Sequence, residues 1–118
     1  MTRLLKILPR AAWAEIEASG RFKGSGIDLA DGFIHFSTAA QAVETARLHF
    51  AGQRDLVVFE IDADDVTGEV RWEASRGGEL FPHLYGVVER HQIRAVRDAP
   101  LDADGVPRVI DVPQVAAR

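Results

Sequence analysis

The sequence predicts an α+β domain with a mainly antiparallel sheet and two helices in its N-terminal half. Three observations predict it. Helical spacing of apolar residues occurs over residues 10–19 and again from Thr38 to Phe50. Most runs of strand character follow those helices, which argues against a repeating βαβ array. DLVVFEID, residues 55–62, is nearly continuous in apolar residues, as a central strand buried on both faces is.

The elements follow in chain order. RLLKIL at 3–8 reads as a short strand. Pro9 then stands where a helix can start, because its missing N–H costs nothing there. Ala12, Trp13 and Ile16 share one face of the helix over 10–19, and Gly20 stops it. Residues 20–32 hold four glycines and two aspartates and read as an irregular, mobile loop. FIHF at 33–36 is a strand whose alternation puts Phe33, His35 and Ser37 on one face, Ile34 and Phe36 on the other. Thr38 with Gln41 fits a capping box. Ala39, Val43, Ala46 and Phe50 form the apolar stripe of the second helix, which Gly52 would end. Residues 63–68 turn, and VRWEA at 70–74 is a strand with Trp72 expected in the core. Gly77 and Gly78 break the chain, and LFPHLYG at 80–86 is extended or turning around Pro82. IRAVRD at 93–98 is a late strand, DADG at 102–105 a turn, and PRVIDV from Pro107 a further edge strand. Residues 1–113 are expected to form a single domain, with 114–118 a loose tail.

Composition narrows the function classes. The chain has 118 residues, 47% of them hydrophobic and 27% charged, which is globular and long enough to bury a core. Its net charge of -4 comes without a Lys/Arg stripe, so duplex nucleic acid is not expected as a partner. A single nucleotide needs only a few donors and remains open. Without cysteine there is no disulfide, thiolate metal site or cysteine nucleophile. No run approaches the roughly 20 apolar residues of a membrane helix, nor a signal-peptide core, so a cytoplasmic location is expected. Oligomeric state is left open.

The candidate chemistry centres on two histidines. His35 lies in DGFIHFST, between the glycine-rich loop and a helix start. With Ser37, Thr38 and nearby helix amides it offers an imidazole, two hydroxyls and N–H donors, a grouping suited to a ribose or a phosphate. In the plainer reading Thr38 only caps the helix and His35 is a buried histidine bonded to backbone. His83 in ELFPHLYG alternates with Tyr85 on a segment stiffened by Pro82 and freed at Gly86, which suits ligand binding. A structural turn with a packed Tyr85 fits the same residues. Glu73, at a strand end, can orient a hydroxyl or act as a base, or simply be exposed. Lys6, Arg71 and Arg76 are possible phosphate partners, although lone cations are usually solvated. His49 and His91 are weaker candidates. RFKGSGIDLADG opens no helix in this reading and is a flap beside His35, not a phosphate cradle. His35, His83 and Glu73 could hold a metal, but nothing in their spacing demands one and no metal is expected.

DGFIHFST, VVFEID, RWE and FPHLYG, in this order and spacing, resemble a bacterial family known only as a domain of unknown function, number nine hundred fifty-two. The resemblance runs from about Leu4 to Val96. That family is in turn remotely similar to the ADP-ribosyltransferase fold, a split-barrel-like arrangement, and in particular to the NAD-binding lobe of RNA 2′-phosphotransferases. The resemblance implies NAD, or another ADP-ribose-type nucleotide, as a possible substrate. His35 would bind its adenosine-ribose or pyrophosphate side, supported by Ser37, and Glu73 would orient the nicotinamide ribose. His83 and Tyr85 have no clear counterpart in that fold; in the enzyme reading His83 would serve the acceptor as acid or base. The fold's early strand usually offers a histidine to NAD; this chain has Lys6 there, which would pair with a phosphate. The separate basic N-terminal lobe of the phosphotransferases has no counterpart, so their full activity is not expected. Two further readings stay open. One is a non-catalytic module that binds a small anion or a protein, and the other a metal-dependent hydrolase built on His35 and His83.

Overall fold

The computed structural model describes residues 1–110, without the side chain of Arg76. Its frame follows from one strand. β4 (Leu56–Asp62) pairs antiparallel with β1 (Arg3–Pro9) on one side and β8 (Ile93–Asp98) on the other. Val57, Phe59 and Ile61 face one way, Leu56 and Val58 the other, and both sets are buried. The apolar run therefore reflects burial on two faces. Helix α1 (Arg10–Ser19) covers the first face through Trp13 and Ile16. Helix α3 (Ala39–His49) covers the second through Ala42 and Ala46. Phe59 is the hub of the larger core, with Trp13, Phe22 and Phe36 ring centroids 5.5–6.1 Å away. Burying one such side chain contributes about 1.5–3 kcal/mol.

A second three-stranded antiparallel sheet has the order β3-β6-β5, built from β3 (Ile34–His35), β6 (Leu80–Tyr85) and β5 (Glu69–Ala74). The two sheets meet at one bridge: Leu5 N–H donates to Ser37 O at 2.7 Å and Ser37 N–H to Leu5 O at 3.0 Å. That bridge sets Lys6 beside His35. The register then places His35 directly across from His83. A two-stranded ribbon, β2 (Arg21–Phe22) with β7 (Val88–Glu89), completes the sheets, and every strand pair is antiparallel.

Several expectations are corrected. Residues 20–32 are not irregular throughout: they contain β2 and a short helix, α2 (Ile27–Asp31), so the N-terminal half holds three helices, not two. Tertiary partners impose this order, since Phe22 joins the core and Asp28 is buried. The capping box of Thr38 and Gln41 forms, but Val43 is exposed because α3 turns Ala42 and Ala46 inward. α3 ends at His49 with Phe50 as its C-cap, while Gly52, at φ 77°, donates its N–H to Gly105 O. Trp72 lies outside the core, on the edge strand β5, and is 44% exposed. Gly86 does not free a chain end. A Cβ there would stand 2.8 Å from Gly68 Cα, so it allows two backbones to touch. Within PRVIDV the pairing is limited to a bridge from Pro107 to Leu101, and Asp111, Val112 and the expected tail lie outside the described residues. No helix among the described residues is long and apolar enough to cross a membrane.

Candidate functional site

Strand alternation does most of the positioning. His35 on β3 and His83 on β6 are cross-strand partners, so both rings leave the sheet on the same face, with centroids 5.1 Å apart. On β5, Arg71 pairs with His83 and Glu73 with Phe81. Glu73 therefore reaches His83 on the diagonal: its Oε1 lies 2.8 Å from His83 Nδ1 and accepts the Tyr85 hydroxyl at 2.8 Å. The Arg71 guanidinium lies over the Tyr85 ring, 4.4 Å from its centroid. Phe33 stacks on His83 at 4.3 Å and also borders His35 and Tyr85.

A carboxylate accepts and does not donate, so the Glu73 contact places a proton on His83 Nδ1. In the neutral ring this leaves Nε2 as an acceptor. Nε2 is buried and has no hydrogen-bond partner among the described residues, and the whole residue is only 4% exposed. A buried polar atom without a partner costs about 1–3 kcal/mol, which a structural histidine would avoid. The hydrogen bonds from His83 and Tyr85 hold the Glu73 carboxyl below its usual range, and the same contact raises the Tyr85 hydroxyl.

The second imidazole is held from α2. Asp28, on the first turn of that helix, is buried. Its Oδ1 lies 2.6 Å from His35 Nδ1 and accepts the His35 backbone N–H at 3.0 Å, while Oδ2 accepts the Ser25 N–H at 3.0 Å. Lys6 Nζ stands 2.8 Å from Asp28 Oδ2 and donates to His35 O at 3.0 Å. Burial pushes the Asp28 carboxyl up, but the Lys6 ammonium and the two N–H donors outweigh it, so the group sits below the usual carboxylate range. Burial also lowers the Lys6 ammonium, against the attraction of Asp28. Lys6 thus meets three protein oxygens, and its first role is to neutralise Asp28. His35 Nε2 lies 3.0 Å from Asp31 Oδ2. The His35 side chain is 29% exposed and bonded to carboxylates, so it is not a histidine packed in the core against backbone.

Both rings line a cleft of about 440 Å³ between β1, β3, β6 and α3. Lys6, Asp31, Ser37 and Thr45 add polar wall, while Ile7, Phe50 and Phe81 add apolar wall. Ser37 Oγ lies 3.2 Å from Thr45 Oγ1. His49, read as a weak candidate, also lines the cleft. The structure therefore brings His35, His83, Glu73, Tyr85, Ser37 and Lys6 together. Thr38 stands apart: its hydroxyl caps α3 by accepting the Gln41 N–H. The Arg76 side chain lies outside the described residues. Glu73 is placed to orient His83, a different task from the ribose contact expected of it. Among the described residues no group of three or more His, Cys, Asp or Glu side chains is arranged to hold a metal ion.

Asp28, Asp31 and the stacking role of Phe33 were missed. Asp31 and His35 stand four apart, and IDLAD is bounded by glycines on both sides, so a short helix aiming two carboxylates at His35 was the available signal.

Comparison with known proteins adds the following. A family model described as "Protein of unknown function (DUF952)" matches residues 7–96. An X-ray crystal structure of protein CC0527 from Caulobacter crescentus is similar to the chain, with 50% identity and a TM-score of 0.84 over 90% of this chain and 93% of that one. A solution NMR structure of the same protein gives a TM-score of 0.82 over 92% and 93%. Among curated proteins there is no match.

Proposed function

Since this chain belongs to the DUF952 family, whose description assigns no activity, we propose from its geometry that the cleft is a nucleotide site in which His83 acts as proton acceptor. The observation that carries this is the buried, unbonded Nε2 of His83, with Nδ1 held by Glu73. That is the carboxylate–imidazole arrangement of a general base, in which the acid fixes the tautomer and the far nitrogen takes the proton.

The ligand class comes from the family resemblance: NAD or another ADP-ribose-type nucleotide. The same reading takes the two sheets joined at Leu5 and Ser37 as an ADP-ribosyltransferase-like split barrel. In the proposed transfer the bond between nicotinamide and ribose breaks, and its electron pair leaves with nicotinamide. An acceptor oxygen or nitrogen bonds to the ribose carbon, and its proton goes to His83 Nε2. His35, beside His83 on the same sheet face, holds the nucleotide, and Ser37 supports it. The apolar wall of Ile7, Phe50 and Phe81 suits a base or nicotinamide ring. A cytoplasmic protein would meet this ligand routinely.

Calorimetric titration with NAD and ADP-ribose, followed by an assay for nicotinamide release, tests the reading. Saturable binding with slow release of nicotinamide is expected. Binding without release would favour the alternative of a non-catalytic small-anion module. Absence of binding at millimolar ligand would overturn the nucleotide reading altogether.

A further inference from the structure

Both nitrogens of His35 face carboxylate oxygens of the same short helix, Asp28 at 2.6 Å and Asp31 at 3.0 Å. The two carboxylates differ in kind. The Asp28 side chain is fully buried and bonded to Lys6 and two backbone N–H groups, so it is a fixed part of the wall. The Asp31 side chain is 38% exposed, and His35 is the residue it meets across the cleft mouth. An exposed carboxylate is released by a change of rotamer, which costs little.

We infer that Asp31 is an internal competitor: its carboxylate sits on His35 Nε2 where an anionic oxygen of the ligand, a phosphate or a carboxylate, binds. This deepens the nucleotide reading and rests on it for the identity of the ligand. Three observations support it. Both contacts of His35 are made at once by a ring with a proton on each nitrogen, and such a ring attracts anions. His83 lines the same cleft, with the two ring centroids 5.1 Å apart. His35 Nε2 donates to such an anion, and a hydroxyl on the same ligand can donate to the unprotonated Nε2 of His83. Among the described residues the cations nearby are committed, Lys6 to Asp28 and Arg71 to Glu69, so Asp31 is the group whose removal changes what an arriving anion meets. The consequence is specificity. A neutral nucleoside cannot displace a carboxylate from an imidazole, whereas a phosphorylated one can.

The test uses the full chain with Asp31→Ala and Asp31→Asn, titrated with AMP, inorganic phosphate and adenosine. The side chain is surface-exposed, so both variants are expected to fold as the wild type does. AMP and phosphate should bind roughly fivefold tighter or more to Asp31→Ala, the scale of one exposed ion pair removed from competition, with a smaller gain for Asp31→Asn. Adenosine should not change. A structural role for Asp31 would weaken binding or leave it as it is. Unchanged or weaker AMP and phosphate binding in Asp31→Ala overturns the inference, while NAD binding by the wild type would leave the nucleotide reading intact. Tighter phosphate binding in a protein that ignores NAD, ADP-ribose and AMP would support the competitor role and overturn the nucleotide. No binding of any anion by either protein overturns both.

Discussion

Replacing Asp28 with alanine is expected to destabilise the fold by about 3–5 kcal/mol, measured by urea unfolding, because it strands a buried ammonium. Lys6 reaches its position only because Asp28 compensates it. Both side chains are at most 11% exposed, and the carboxylate also accepts N–H groups from Ser25 and His35. The charge alone does not explain the cost. Replacing both partners at once, with Asp28→Leu and Lys6→Met, should recover part of the loss, since the pair is removed together. The two backbone donors would still lack an acceptor, so recovery is incomplete. A loss below about 1 kcal/mol in the single variant would show that Asp28 does not hold the site together.

The same residue sets an acid limit. Its folded-state pKa lies below the ordinary 3.8, so the unfolded chain binds its proton first as pH falls. The stability contributed by Asp28 is complete above that ordinary value and is lost as pH drops through the lower, folded one. Glu60, Asp62 and Glu73 are lowered in the same direction. Asp28→Ala should therefore show a shallower loss of stability on acidification than the wild type, not a flat profile. An unchanged slope would contradict the assignment.

Substituting His83 with glutamine is expected to reduce nicotinamide release by about 10²–10⁴-fold, the usual contribution of a positioned general base. Stability should change little, because glutamine can keep a donor to Glu73 while its other amide atom is as unpartnered as Nε2 was. That pairing of outcomes is diagnostic. A histidine that served only packing against Phe33 would lose stability on substitution and leave turnover in proportion to folded protein. Nucleotide affinity should fall less than turnover, since His35 and the apolar wall remain. Full turnover in folded His83→Gln protein would rule out the proton role.

What could be read from the sequence, and what could not, divides along the origin of the information. β4 was legible because burial on two faces writes itself as an apolar run. The start of α3 was legible because a capping box is local chemistry within four residues. That His83 and Tyr85 share a side followed from alternation along β6, whereas the meeting of His35 with His83 depended on the β3–β6 register. The fold of 20–32 was not legible. Its order comes from Lys6 and Phe59, on strands remote in sequence, acting on Asp28 and Phe22. β2 and β7 have two residues each, too few for any period to show. Trp72 misled because its apolar surface argues for burial, while its place on an edge strand is decided by topology. The role of Glu73 depended on the β5–β6 register, which sets it diagonal to His83.

The central claim is that His83 presents a bare acceptor nitrogen to the ligand. Two-dimensional spectra of protein with ¹⁵N-labelled histidine rings, recorded during titration with NAD and ADP-ribose, address it directly. The expected result is a His83 ring protonated at Nδ1 and unprotonated at Nε2, with the Nε2 signal moving saturably as nucleotide is added. A proton resident on Nε2, with no movement at millimolar nucleotide, would contradict it.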